Sequence, residues 1–179
     1  MTTALLIIDV QQGLCTGAHA AFDVAGVLAR INHVAALARG AGAPVVLIQH
    51  EAPEDPLRYG SAGWQLAEGL EVAESDRRLR KTATDAFHRT ELQAVLQAGG
   101  VIALVICGLH SEFCVDTTTR RALALGYPVT LVADGHSTVD NGVLTAAQIT
   151  AHHNATLSNI TSFGVRATAV PAGAVRFGG

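Results

Sequence analysis

Short apolar runs alternate with segments of helical spacing along nearly the whole chain, and this alternation narrows the fold more than any other feature. A strand covered by helices on both faces reads as a continuous, β-branched run, because neither of its faces meets water. Val101–Cys107 is the strongest such run; Pro44–Gln49, Pro128–Val132 and the shorter Ala4–Asp9 are three more. Arg78–Lys81 and Ala167–Val170 read as two further short strands. Between them, Val27, Leu28, Ile31, Val34, Ala35 and Ala38 have the spacing of a helix with one buried face. Helices are also predicted over Thr90–Ala98, with Thr90 as N-cap, over Phe113–Leu125 and over Gly142–Leu157. The expected fold class is therefore α/β: a doubly wound, about six-stranded, mainly parallel sheet with helices on both faces, a Rossmann-like three-layer arrangement. Residues 51–76 hold Pro53, Pro56, Gly60, Gly63 and Gly69 with little periodicity, which predicts a long surface excursion with one short helix around Trp64–Leu70.

Composition limits what such a chain can do. With 179 residues, 49% of them hydrophobic and 15% charged, it can bury a full core, and with no linker, repeat or low-complexity segment it reads as one domain over 1–179. A formal charge of -3 offers no broad basic field, so neither nucleic acid nor an anionic membrane is an expected partner. Cys15, Cys107 and Cys114 form no C-x-x-C pair, and an odd count does not read as a disulfide framework, so a reducing cytoplasm is expected. The first apolar run, Ala4 to Ile8, is too short for a signal peptide or a spanning helix. The glycines of 13–17 and 40–42 fit neither G-x-G-x-x-G nor a P-loop, and no G-x-S-x-G elbow is present.

In open parallel sheets, sites gather where strands end and the chain turns into the next helix. Asp9 closes the first strand, Lys81 the third, and Cys114 follows the fourth, at the predicted first turn of a helix where N–H groups and the dipole would favour a thiolate. The three can converge at one edge. There an acid can accept the thiol proton and return it to a leaving amine, beside an ammonium that balances charge. Taken singly each has a plainer reading: a buried apolar cysteine, a turn-capping acid, a solvated lysine.

Leu5-Leu6-Ile7-Ile8-Asp9-Val10-Gln11, Lys81 followed by Ala86–Leu92, and Gly108-Leu109-His110-Ser111-Glu112-Phe113-Cys114-Val115 with Thr118 and Ala122 together resemble the isochorismatase-like cysteine hydrolases. Gly126–Val129 and Asp134 fall where the next strand and loop of that family belong. The resemblance implies a catalytic trio of Asp9, Lys81 and Cys114, with a covalent intermediate on the thiol. It further implies a cis, non-proline peptide at Leu109-His110 and an oxyanion hole made by the backbone N–H groups of His110 and Cys114. Nicotinamidase members carry an Asp-x-His metal motif after the second strand, where this chain has Gln49-His50-Glu51-Ala52-Pro53; His50, Glu51 and Asp55 show no converging ligand spacing, so neither metal nor cofactor is expected. Members that cleave the vinyl ether of isochorismate lack the cysteine, so Cys114 favours C–N hydrolysis.

The expected activity is thus cysteine-dependent hydrolysis of a non-peptide, amide-like C–N bond in a small molecule by a homodimer or homotetramer. A nitrile, isonitrile or ester on the same trio, or a non-catalytic binding or redox-sensing protein, are the alternatives. Gln11, Trp64, Phe87, His110 and Phe113 are candidate pocket residues; Trp64, Phe87 and Phe113 read equally as core anchors, and His110 as a spacer whose backbone alone matters.

Overall fold

The computed structural model describes residues 2–18 and 20–178. Six strands form one parallel sheet in the order β3-β2-β1-β4-β5-β6. They are β1 (Thr2–Ile8), β2 (Val45–His50), β3 (Arg77–Lys81), β4 (Val101–Leu109), β5 (Val129–Ser137) and β6 (Ala167–Val170). The helices are α1 (Gln12–Cys15), α2 (Val24–Gly40), α3 (Leu92–Ala98), α4 (Asp116–Ala124) and α5 (Ala146–Ser158). The α/β fold class read from the alternation of runs is the one observed.

Side-chain alternation along the central strands divides the core into two layers. Ala4, Leu6 and Ile8 of β1 join Leu104 and Ile106 of β4 on the face covered by α3, α4 and α5, through Leu92, Leu96, Ala122, Leu123 and Leu157. Leu5 and Ile7 join Val105 and Cys107 on the opposite face, where α2 supplies Val27, Ile31, Val34, Ala35 and Ala38. Because both faces are covered, β1 has no polar alternation, and five of its seven residues are buried.

The chain builds outward from β1 through β2 to β3, then returns across β1 to start β4 on its other side. This reversal opens a crevice at the C-terminal ends of β1 and β4. The two strands approach closely there: Ile8 pairs with Gly108, which has a φ of 122°, and a Cβ at Gly108 would overlap the Ile8 carbonyl oxygen. Only glycine satisfies both the conformation and the approach.

Several boundaries differ from the sequence reading. The helix expected from Phe113 begins as a single π-helical turn, Ser111–Val115, and becomes α-helical at Asp116. No helix forms around Trp64–Leu70; turns there are tied by Gln11, whose amide nitrogen donates to the carbonyls of His50 and Trp64, each at 2.9 Å. The short α1 follows β1 unannounced, since four residues are too few to show periodicity. Helix α3 starts at Leu92, not Thr90, although Thr90 Oγ1 does accept from the Leu92 N–H at 3.2 Å. Helix α5 starts four residues later than expected, at a capping box of Thr145 and Gln148.

Candidate active site

Strands end at one edge of the sheet, and each delivers a side chain to it. Asp9 follows β1: its N–H still donates to the Ile48 carbonyl at 2.8 Å, and a φ of 52° turns the chain out of the sheet. Aspartate is among the side chains that tolerate this left-handed region. Lys81 closes β3 directly beside His50, the last residue of β2. Cys114 lies in the π-helical turn after β4, and the peptide bond between Leu109 and His110 that opens this turn is cis.

The Lys81 ammonium is the hub. Its Nζ donates to Asp9 Oδ2 at 2.7 Å, to the Ala83 carbonyl at 3.0 Å and to Cys114 Sγ at 3.1 Å, and it lies 3.2 Å from His50 Nδ1. The Lys81 and Asp9 side chains are essentially without solvent access. Two opposite charges so deeply buried persist because each compensates the other; removing one would strand its partner.

Burial pushes the Cys114 thiol up to about 12, with the negative charge of Asp9 adding to the effect and Lys81 opposing it. At neutral pH the resting site therefore holds a neutral thiol beside an aspartate–lysine pair. The expectation that a helix start would favour a resting thiolate is corrected: the π-helical turn is only five residues long, and burial outweighs its dipole. The thiol has an acceptor close by instead. Asp9 Oδ1 is buried without a partner among the described residues, and an Asp9 carboxylate oxygen lies within 4.8 Å of the sulfur.

Asp9, His50 and Cys114 together have the spacing of a metal site. Lys81 Nζ, however, contacts all three, so the positive charge at their centre is the lysine's own, and a cation would have to displace it. His50 is held below its ordinary pKa by burial and then by Lys81, which favours a neutral ring beside the ammonium. The other acids considered beside His50 are engaged elsewhere, Glu51 with Arg80 and Asp55 with Arg58.

A cavity of about 230 Å³ opens over the sulfur. Leu14, Leu57, Leu109 and Phe113 form its apolar walls, and His50, His110 and Thr84 add polar groups. The backbone bonds of the turn run from the Phe113 and Val115 N–H groups to the His110 carbonyl. The His110 N–H is left without a backbone partner among the described residues, and Cys114 sits in the same turn. A larger groove of about 480 Å³ follows the outer edge of β3 among Arg78, Arg80 and Arg89, but the thiol does not line it.

The Isochorismatase domain matches residues 3–170. The chain belongs to the isochorismatase family. Streptothricin hydrolase of Streptomyces noursei is 43% identical over 138 residues, covering 76% of this chain and 50% of that protein. Ureidoacrylate amidohydrolase RutB of Methylobacterium radiotolerans is 28% identical over 199 residues, covering 90% and 74% respectively. The crystal structure of an isochorismatase family protein superposes with a TM-score of 0.85 at 40% identity, covering 94% of this chain and 97% of that one. The chain spans about half the length of the streptothricin hydrolases it matches.

In this isochorismatase-family chain the structure brings Asp9, Lys81 and Cys114 together and places His110 and Phe113 at the cavity. The other three pocket candidates do not line it: the pocket reading of Gln11 is corrected, and of the two equal readings given to Phe87 the core one holds. Gln11 is fully buried and spends its amide on the chain at His50 and Trp64. Trp64 packs edge-on against Tyr59, with ring centroids 4.9 Å apart. Phe87 is a core residue stacked on Tyr127. Sequence reasoning missed His50, Leu14, Leu57 and Thr84. The signal for His50 was present, since it ends β2 as Lys81 ends β3; Leu14 sits in the four-residue α1, too short to show periodicity, and Leu57 and Thr84 sit in bends, where no pattern marks a direction.

Proposed function

We propose that this family member is a metal-independent cysteine hydrolase that cleaves a non-peptide, amide-like C–N bond in a small molecule. The observation that carries this reading is the buried Lys81 ammonium bonded at once to Asp9 and to the Cys114 sulfur. In the reaction, Asp9 takes the thiol proton as the sulfur attacks the carbonyl carbon, forming a C–S bond and an oxyanion. The N–H groups of His110 and Cys114 receive that oxyanion; each such donor is typically worth about 3–4 kcal/mol in the barrier. The oxyanion then collapses, the C–N bond breaks, and Asp9 protonates the departing nitrogen. Water attacks the thioester, Asp9 accepts its proton, and the sulfur leaves with that proton, yielding a carboxylic acid and an amine. Lys81 stays protonated throughout and balances whichever charge the Asp9–Cys114 pair carries.

The raised Cys114 pKa weighs against a redox sensor, whose thiol must ionise readily. Names of relatives that hydrolyse streptothricin or ureidoacrylate support the amide class. No lysine or arginine among the described residues lines the cavity over the sulfur, which supports a substrate with a largely apolar acyl part. A homodimer or homotetramer is proposed from exposed Phe22, Phe113 and Val143, and a cytoplasmic setting from three free cysteines.

A screen of small amides, ureas and p-nitrophenyl acetate tests the reading. Turnover in Cys114→Ala is expected to fall at least about a thousandfold with the melting temperature held. Undiminished activity in that variant would overturn the mechanism.

A further inference from the structure

Behind the π-helical turn lies a buried polar chain that the reaction above does not use. Ser111 Oγ is 2.8 Å from His136 Nδ1 and 3.2 Å from Thr150 Oγ1; His136 Nε2 is 3.0 Å from Asn154 Oδ1; and Asn154 Nδ2 donates to the Ala133 carbonyl at 2.9 Å. Ser111 and His136 are 0% and 2% exposed, which is unusual for polar side chains and costly unless every group is paired.

The proton positions follow from one fixed point. The Ala133 carbonyl can only accept, so the Asn154 amide nitrogen must face it and the Asn154 oxygen must face His136. His136 Nε2 therefore carries the proton. Burial holds His136 neutral, down to about 4, so Nδ1 is bare and accepts from the Ser111 hydroxyl. With its one hydrogen so committed, Ser111 accepts from Thr150. The result is a one-way chain from α5 through the turn to β5, and every donor and acceptor in it has a single role.

We propose that His136 is a positioning residue that fixes, through Ser111, the seat of the turn presenting the His110 and Cys114 N–H groups. Ser111 directly follows His110 and stands three residues before Cys114. A lock on Ser111 therefore holds both N–H groups relative to the sheet, while the sulfur keeps its own contact with Lys81. Placement matters because a shift of about 1 Å can cost on the order of a hundredfold in rate. This inference rests on the acyl-transfer reading proposed above.

Two measurements on the same thiol separate the roles. Acylation of Cys114 by p-nitrophenyl acetate passes through an oxyanion; alkylation by iodoacetamide does not. Ser111→Ala and His136→Gln are expected to slow acylation about tenfold or more while leaving alkylation within about twofold. His136→Asn, whose Oδ1 falls where Nδ1 was, keeps the acceptor for Ser111 and is expected to restore most of the acylation rate. Equal losses in both reactions, no loss in acylation, or no rescue by asparagine would overturn the positioning role. Wild-type protein acylated no faster than Cys114→Ala would instead remove the acyl-transfer reading itself.

Discussion

At the scale of single residues, the fold decides protonation. Cys114 and His136 are both kept neutral by burial, with opposite consequences for pH. For His136 the folded pKa, about 4, lies below the ordinary 6.5. As pH falls through 6.5 the unfolded chain binds a proton that the native one refuses, so stability is lost on acidification toward pH 4. His153 on α5 opposes the His136 charge, and Asp134 on its own strand and Asn154 favour it. Between pH 7 and pH 5 the loss from this one group is expected to be about 2 kcal/mol, and the stability lost over that range in urea titrations should be smaller by that amount in His136→Asn than in wild type. Parallel pH profiles for the two proteins would show that His136 is not held neutral. Cys114 works at the other end of the scale: its ordinary value of 9 is exceeded in the fold, so its ionisation favours the unfolded chain above about pH 9.

At the scale of elements, two junctions matter more than the lengths of strands or helices. The first is the β1–β4 contact at Ile8 and Gly108, which brings the C-terminal end of β4 against that of β1. Gly108→Ala adds a methyl group at positive φ against backbone that cannot swing aside, and is expected to destabilise by at least about 3 kcal/mol. Thermal melts would show it, and an unchanged melting temperature would mean that the strands can separate freely. The second is the start of α5, which carries Thr150 and Asn154 toward the turn. Thr145 accepts from the Gln148 N–H at 3.3 Å, while Gln148 Oε1 accepts from the Thr145 N–H at 3.0 Å. Thr145→Ala is expected to cost about 1 kcal/mol in a urea titration. The sequence reading missed this cap because Gly142 and Val143 looked like helix; Asn141 instead turns the chain by accepting from the Val143 and Leu144 N–H groups.

At the scale of the whole molecule, helices cover both faces of the sheet, and no helix among the described residues is long and apolar enough to cross a membrane. Large apolar side chains nevertheless stay exposed, Val143 at 85% and Phe22 at 60%. Light scattering at micromolar concentration is expected to show a dimer or tetramer, and Val143→Asp is expected to weaken it. A monomer at that concentration would remove the proposed assembly.

What could be read directly from the chain was whatever repeats or terminates. Val101–Cys107 and the α2 stripe announce themselves by period, because burial on two faces or one imposes it. Asp9 and Lys81 stand at strand ends, and the C-terminal edge of a parallel sheet is where sites collect. Applied to every strand, the same rule reaches His50, which ends β2, and His136 near the end of β5. Distances and protonation were not legible. Gln11 looked like a pocket residue and is a clamp, Phe87 read equally as wall and core anchor and is core, and Cys114 looked like a thiolate whereas burial holds it as a thiol. The sequence by itself determined the layers of the fold and which residue types reach one edge, because hydrophobic periodicity is local. Only the tertiary structure decided which side chains touch and which hold a proton, because contact and desolvation depend on every element packed around a group.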